Sequence, residues 1–100
     1  MDDPTLVKVL KALADPKRFQ MVQEIASAGE LSCGQVAERF PLSQPTISHH
    51  LKILTDAGVL TMRHEAKHHF ISVNQKLIDS VVSLLPARLA GPKRGRKSAR

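Results

Sequence analysis

Residues 42–58, LSQPTISHHLKILTDAG, constrain the fold more tightly than any other stretch of the chain. Their pattern predicts one helix over 43–57, with a start, a stop, a buried face and a polar face. Ser43 is a good N-cap, and Pro45 fits the first turn, where backbone N–H groups lack partners in any case. Because Pro45 has no N–H, the Ser43 hydroxyl is expected to accept from the amide of Thr46. Gly58 supplies the left-handed residue that ends the helix. Ile47, Leu51 and Leu54 recur at i, i+4 and i+7 and so share one face. The opposite face carries Ser48, His49, Lys52 and Asp56, with Gln44 and Thr46 at its N-terminal end. A helix entering the DNA major groove needs such a surface, with short polar groups to reach base edges and a cation for phosphate. The solvated side of an ordinary core helix has the same composition, so the neighbouring stretch decides between them.

Residues 31–40, LSCGQVAERF, predict a shorter helix. Ser32 and Gln35 fit the S-x-x-Q capping box, and Val36, Ala37 and Phe40 form its apolar side. Pro41, Leu42 and Ser43 then make a tight turn. Two helices joined by three residues, the second capped and polar-faced, make a helix-turn-helix.

Two further helices are expected upstream. Asp3 and Pro4 mark the start of the first, an acidic N-cap followed by Pro, with Leu6, Val9, Leu10 and Leu13 as its apolar stripe. Asp15 and Pro16 repeat the signal. Phe19, Val22, Ile25 and Ala26 are spaced for one buried face, and Gly29 ends the helix. Lys17 and Arg18 in its first turn oppose the helix dipole, which fits either a phosphate partner or plain surface cations.

Downstream the period changes to two. Residues 59–64 and 68–73 read as strands joined by Glu65, Ala66 and Lys67, a hairpin forming a wing over 59–73. The turn lacks Asn-Gly or any Gly, so a tight two-residue turn is disfavoured and a longer or mobile tip is expected. Asn74 caps a last helix from Gln75 to about Leu85, where Pro86 should stop it. Leu77, Ile78, Val81, Val82, Leu84 and Leu85 cover more than one stripe of that helix. One face is therefore expected on the body and the other on a second subunit.

Length and charge set the frame. The 100 residues suit one domain with a limited core, so self-association is an expected source of further stability. The net charge of +6 is uneven: six of the fifteen Lys and Arg lie from Arg88 onward, and the other nine match the nine Asp and Glu. Residues 86–100 thus read as a flexible basic tail following a domain over 1–85. Such a tail suits nucleic acid or another polyanion. The globular helix-turn-helix, not the tail, must carry a sequence-specific reading. No apolar run has the length of a membrane span, and the first residues lack a signal pattern, so a soluble cytoplasmic protein is expected. Cys33 is the only cysteine, which rules out an intrachain disulfide.

With these motifs in this order, the chain resembles the ArsR/SmtB family of bacterial winged-helix repressors. The carriers are LADPKR at 13–18, SQPTISHHLKIL at 43–54, AGVL at 57–60 and FISVN at 70–74. Within the family the recognition segment is most similar to the SdpR-like autorepressor branch. The resemblance implies a mainly α protein with a small β-hairpin, a winged helix-turn-helix of four helices, two strands and a last helix. It implies a homodimer that binds an inverted-repeat operator in double-stranded DNA and represses the promoter. Leu6, Val9 and Leu10 of the first helix, with Leu77, Val81, Leu84 and Leu85 of the last, would form the dimer interface. Gln44, Thr46, Ser48 and His49 would face bases and Lys52 a phosphate. Arg63 and Lys67 on the wing would meet phosphate or the minor groove, and His50, nearer the core, would be structural.

Many relatives sense metals through a third-helix box, E-L-C-V-C-D. Here the matching residues are Glu30-Leu31-Ser32-Cys33-Gly34-Gln35, and both ligand positions are lost. One thiolate makes a poor soft-metal site. His64, His68 and His69 offer wing histidines, with His64 and His68 expected to face each other, but only Glu65 lies nearby as an acid. No metal and no cofactor is therefore expected. The sequence leaves room for an effector without identifying one. The competing reading is a winged-helix module for protein–protein association, with the basic tail binding nucleic acid non-specifically. It calls for exposed apolar residues on the polar face of the helix over 43–57, where only Ile53 flanks. An enzyme is disfavoured, because no paired carboxylates, phosphate-cradling Gly loop or nucleophile–base spacing occurs.

Overall fold

Asp2 opens the first helix. Its carboxylate accepts from the Thr5 amide at 2.9 Å. The cap therefore falls one residue before the expected Asp3, and Pro4 lies within the first turn of α1 (Asp3–Leu13). The computed structural model describes residues 1–92, so the tail residues Lys93, Arg94, Arg96, Lys97 and Arg100 lie outside the described part.

Asp15 caps α2 (Pro16–Ala28) by accepting from the Arg18 amide at 3.0 Å, and Gly29 closes that helix at φ +84. The buried face of α2 is Met21, Val22 and Ile25. Phe19 and Ala26, expected on that face, turn outward instead, and Phe19 is 51% exposed. The buried stripe is centred on Met21 and Ile25, which share a face at i and i+4 and leave Phe19 at its margin.

Residues 31–40 divide between two elements. Leu31–Ser32 form a short strand, β1, and the helix α3 is Cys33–Arg39. The capping box is complete, with Gln35 N–H donating to Ser32 Oγ at 3.1 Å and Ser32 N–H to Gln35 Oε1 at 2.8 Å. The recognition-type helix α4 is Gln44–Asp56. The hairpin strands are β2 (Leu60–Glu65) and β3 (His68–Val73), and the antiparallel sheet runs β1-β3-β2. Leu31 pairs with Ile71, which adds a third strand to the expected hairpin.

The wing tip differs from expectation. Glu65 pairs with His68, so the turn is only Ala66 and Lys67, and Ala66 takes φ +54. Register explains this outcome. Leu60 and Ile71 are buried from opposite strands, and a slip by one residue would turn one of them into solvent. The core-facing pattern thus overrides the turn preference, and an alanine accepts a conformation that suits glycine. The same register places His64 opposite His69, with ring centroids 4.2 Å apart, rather than opposite His68.

Asn74 caps α5 (Gln75–Arg88) by accepting from the Leu77 amide at 3.2 Å. Pro86 does not stop this helix at 85. It stands in the last turn, where a missing N–H forgoes a single helical bond. Arg88 then ties the helix end to α1, pairing with Asp3 and donating to the Met1 carbonyl at 2.7 Å.

The core draws on nearly every element. Val9, Met21, Ile25, Val36, Leu54, Val59 and Ile71 are the largest fully buried side chains. No polar or charged side chain is buried among the described residues. Chemistry and recognition therefore belong to the surface, and the core serves to hold α4 and the wing in place.

Candidate nucleic-acid interface

The ends of α4 are built by the expected local chemistry. Ser43 Oγ accepts from Thr46 N–H at 3.3 Å and lies 2.8 Å from Thr46 Oγ1. Gly58 at φ +87 turns the chain out of the helix, and Val59 N–H returns to the Leu54 carbonyl at 3.0 Å. Asn74 secures this junction from outside, its side-chain amide donating to the Gly58 carbonyl at 3.1 Å. One residue thus caps α5 and braces the exit of α4.

Ile47, Leu51 and Leu54 are buried under α4. Gln44, Thr46, Ser48, His49 and Lys52 are all exposed on its outer side. Lys52 also reaches Asp56 at 3.1 Å, an i,i+4 pair with both side chains largely in water. Such a pair is worth little and leaves the ammonium available to a stronger anion. Ile53 packs partly against the core, so the one apolar residue flanking this face is not a free docking point.

Arg18, whose role the sequence alone leaves open, fixes the seat of α4. It donates from Nε to the Ala12 carbonyl at 2.7 Å and from a terminal nitrogen to the Lys11 carbonyl at 3.2 Å. A cation on these carbonyls complements the C-terminal end of the α1 dipole. The other terminal nitrogen lies 3.4 Å from His50 Nδ1 on α4. Arg18 thereby joins α1, α2 and α4, with His50 half-buried where it meets the guanidinium. The Arg18 amide holds the Asp15 carboxyl below the usual carboxylate range, as the Thr5 hydroxyl and amide do for Asp2.

On the wing the two cations are placed differently. Arg63 donates to both carboxylate oxygens of Glu30, at 2.9 and 3.3 Å, and to Glu65 at 3.0 Å. Its guanidinium also lies 4.7 Å from the centre of the Phe70 ring. Donating to Glu30 first, and then to Glu65, raises its pKa further. Arg63 thus stands between two carboxylates, in pairs whose side chains are 40–66% exposed. Lys67, at the turn, makes no ion pair among the described residues.

The residues expected at the dimer interface fall into two groups. Leu6, Val9 and Val81 are 5%, 0% and 6% exposed within the single chain, so they belong to its own core. Leu77 and Leu85 are also partly taken up by that core. Leu10 is exposed, Leu84 is half-buried, and Val7 and Val82 on the same two helices, with Leu89 at the C-cap of α5, add exposed apolar surface.

The metal-box positions do not fit a soft metal. Ser32 uses its hydroxyl as a helix cap, Gly34 has no side chain, and burial pushes the Cys33 thiol up, away from thiolate. Among the described residues no three His, Cys, Asp or Glu side chains group as metal ligands would. No helix among them is long and apolar enough to cross a membrane.

A capped, polar-faced second helix on a short turn, followed by a β-ribbon, defines a winged helix-turn-helix DNA-binding protein. Comparisons with known proteins agree. A family model described as a helix-turn-helix domain matches residues 13–63. The arsenical resistance operon repressor of Staphylococcus aureus is 35% identical over 80 residues, covering 80% of this chain and 76% of that one. The transcriptional repressor SdpR of Bacillus subtilis (strain 168) is 32% identical over 75 residues, covering 75% of this chain and 82% of that one. Among solved structures, HlyU from Vibrio cholerae superimposes with a TM-score of 0.70 at 29% identity, covering 91% of this chain and 100% of that one. An ArsR-like transcriptional regulator from a Rhodococcus species shows the same fold, with a TM-score of 0.78 at 21% identity and coverage of 85% and 79%. The chain belongs to the ArsR/SmtB family and is a DNA-binding transcriptional repressor, not an enzyme.

Proposed function

We propose that this repressor acts as a homodimer on an inverted repeat, with α4 of each subunit in the major groove. Gln44, Thr46, Ser48 and His49 read bases, Lys52 meets a phosphate, and Lys67 at the wing tip meets phosphate or the minor groove. The exposed polar side of α4, opposite a firmly buried one, is the observation that supports this most. The second subunit is held through α1 and α5 by Val7, Leu10, Val82, Leu84, Leu85 and Leu89. Two-fold symmetry then sets the recognition helices one DNA turn apart, about 34–36 Å. The site of action is the cytoplasm, where operator DNA lies, and the resemblance of the recognition segment to the autorepressor branch makes the gene's own upstream region the operator to test.

Fluorescence anisotropy at about 150 mM salt tests the reading, comparing upstream duplex with a scrambled duplex, with and without chelator. Preference for upstream DNA by about a thousandfold supports an autorepressor. Preference that survives the chelator separates binding from any metal. Equal, salt-sensitive binding to both duplexes removes the autorepressor assignment and leaves non-specific association.

A further inference from the structure

The strand order gives Arg63 a task that its sequence position hides. β3 is the middle strand, and Phe70 on it pairs with Arg63 of β2 on one side and with Ser32 of β1 on the other. Glu30 is two residues before Ser32, and so on the same face of the sheet by the strand period. The Arg63 side chain therefore starts on one edge strand, crosses the Phe70 ring at 4.7 Å, and ends on Glu30 beside the other edge. It also bonds Glu65, two residues along the same strand and opposite His68 at the rung nearest the turn. Among the described residues, this is the side-chain tie between the outer half of the hairpin and the rest of the chain.

We propose that Arg63 is a positioning residue, a strap that sets the angle of the wing and so places the Lys67 tip on DNA. This rests on the reading that the wing meets DNA. Charge supports the assignment. One guanidinium between two carboxylates leaves the cluster of Arg63, Glu30 and Glu65 net negative, a poor surface for a phosphate backbone. The opposite face, carrying Leu60, Met62 and His64, turns toward the helices, and Met62 lines a hollow with Ser48, Leu51 and Lys52 of α4. A planar guanidinium suits the task, since it chelates a carboxylate with two nitrogens and stacks on a ring, which an ammonium does not do equally.

The test compares Arg63→Lys, Arg63→Gln, Glu30→Gln and Lys67→Gln for affinity to the preferred duplex across salt concentrations, with hydrogen exchange of the free proteins alongside. A strap predicts that Arg63→Lys fails much as Arg63→Gln does, each weakening specific binding several-fold. Neither should change the log–log salt slope, whereas Lys67→Gln should lower it by about 0.9, one phosphate contact. Glu30→Gln should also weaken binding, although it removes a negative charge from the DNA-binding domain. All three strap variants should speed amide exchange in β2 and β3. The proposal is overturned if Arg63→Lys binds as the unaltered protein does while Arg63→Gln loses slope, or if Glu30→Gln strengthens binding. If no duplex is preferred by any form, the operator reading fails instead. Hydrogen exchange then decides the strap alone: faster exchange in the Arg63 and Glu30 variants keeps it, and unchanged exchange removes it.

Discussion

The recognition helix and the wing both present Ser, His and basic side chains to water, yet they are held in opposite ways. α4 lies on the core through Ile47, Leu51 and Leu54, and the polar groups on its outer side are otherwise uncommitted apart from Ser43 with Thr46 and Lys52 with Asp56. The outer half of the wing has no core beneath it, and its best-placed cation is spent on Glu30 and Glu65. An exposed cation is thus not the same as an available one. Where packing supplies rigidity, the surface is free to recognise; where it does not, surface charge is drawn into structure.

The largest expected effect tests the foundation of α4. Leu54 is fully buried, and Leu54→Ala should cost about 2–5 kcal/mol of unfolding free energy, read from urea denaturation. The matching change on the wing, Lys67→Ala, should stay within about 0.5 kcal/mol. Equal losses would mean that the two regions are not supported differently.

Next comes recognition. Ser48→Ala and His49→Ala should leave the denaturation midpoint unchanged and narrow the gap between operator and random DNA. Removing one hydrogen bond to a base edge should reduce discrimination by about 1–3 kcal/mol, measured by competition binding. Full discrimination in the double variant would move the reading surface away from α4.

The same contrast explains what could be read from the sequence. α4 was legible because its determinants are local. Ser43, Gly58 and the i, i+4, i+7 spacing of Ile47, Leu51 and Leu54 lie within one short stretch, and each has a single physical meaning. The strap on Arg63 was not legible, because Glu30 lies 33 residues away and reaches it only through the order β1-β3-β2. β1 is two residues long, too short to show a period. Arg18 was ambiguous for the same reason, since its partners Lys11, Ala12 and His50 come together only in the folded chain. At Phe19 the spacing admitted two stripes, and packing chose the one through Met21. At Pro86 and Ala66 the local rule was right about the cost and wrong about the outcome, because tertiary ties outweighed it.

Ala66 offers a smaller test on the wing side. A left-handed conformation costs a non-glycine residue roughly 1–2 kcal/mol, and glycine returns part of that gain through a freer unfolded chain. Ala66→Gly should therefore stabilise the protein by about 0.5–1 kcal/mol in denaturant titration. Its operator affinity should not change if the strap, rather than the turn, sets the angle of the tip. Weaker binding with higher stability would shift wing positioning from Arg63 to the turn.

The smallest effect lies beneath α4 and concerns acid. Asp15 accepts from the Arg18 amide, and its carboxyl is held below the usual carboxylate range by that bond first and by the nearby positive charge of Arg18 after it. A group whose folded pKa is depressed contributes stability that is present above its unfolded pKa. That stability is lost as pH falls through the folded value. The acid limb of the stability curve should therefore carry a contribution from this cap. Ser43, which caps α4, has no titrating group and should add nothing to that limb. Asp15→Asn keeps a side-chain acceptor for the Arg18 amide but removes the titration. The variant should differ little from the parent below the carboxylate range and fall slightly short of it near neutrality, by urea midpoints from acid to neutral pH. An unchanged pH profile would show that the charge of this cap contributes nothing to the acid limb.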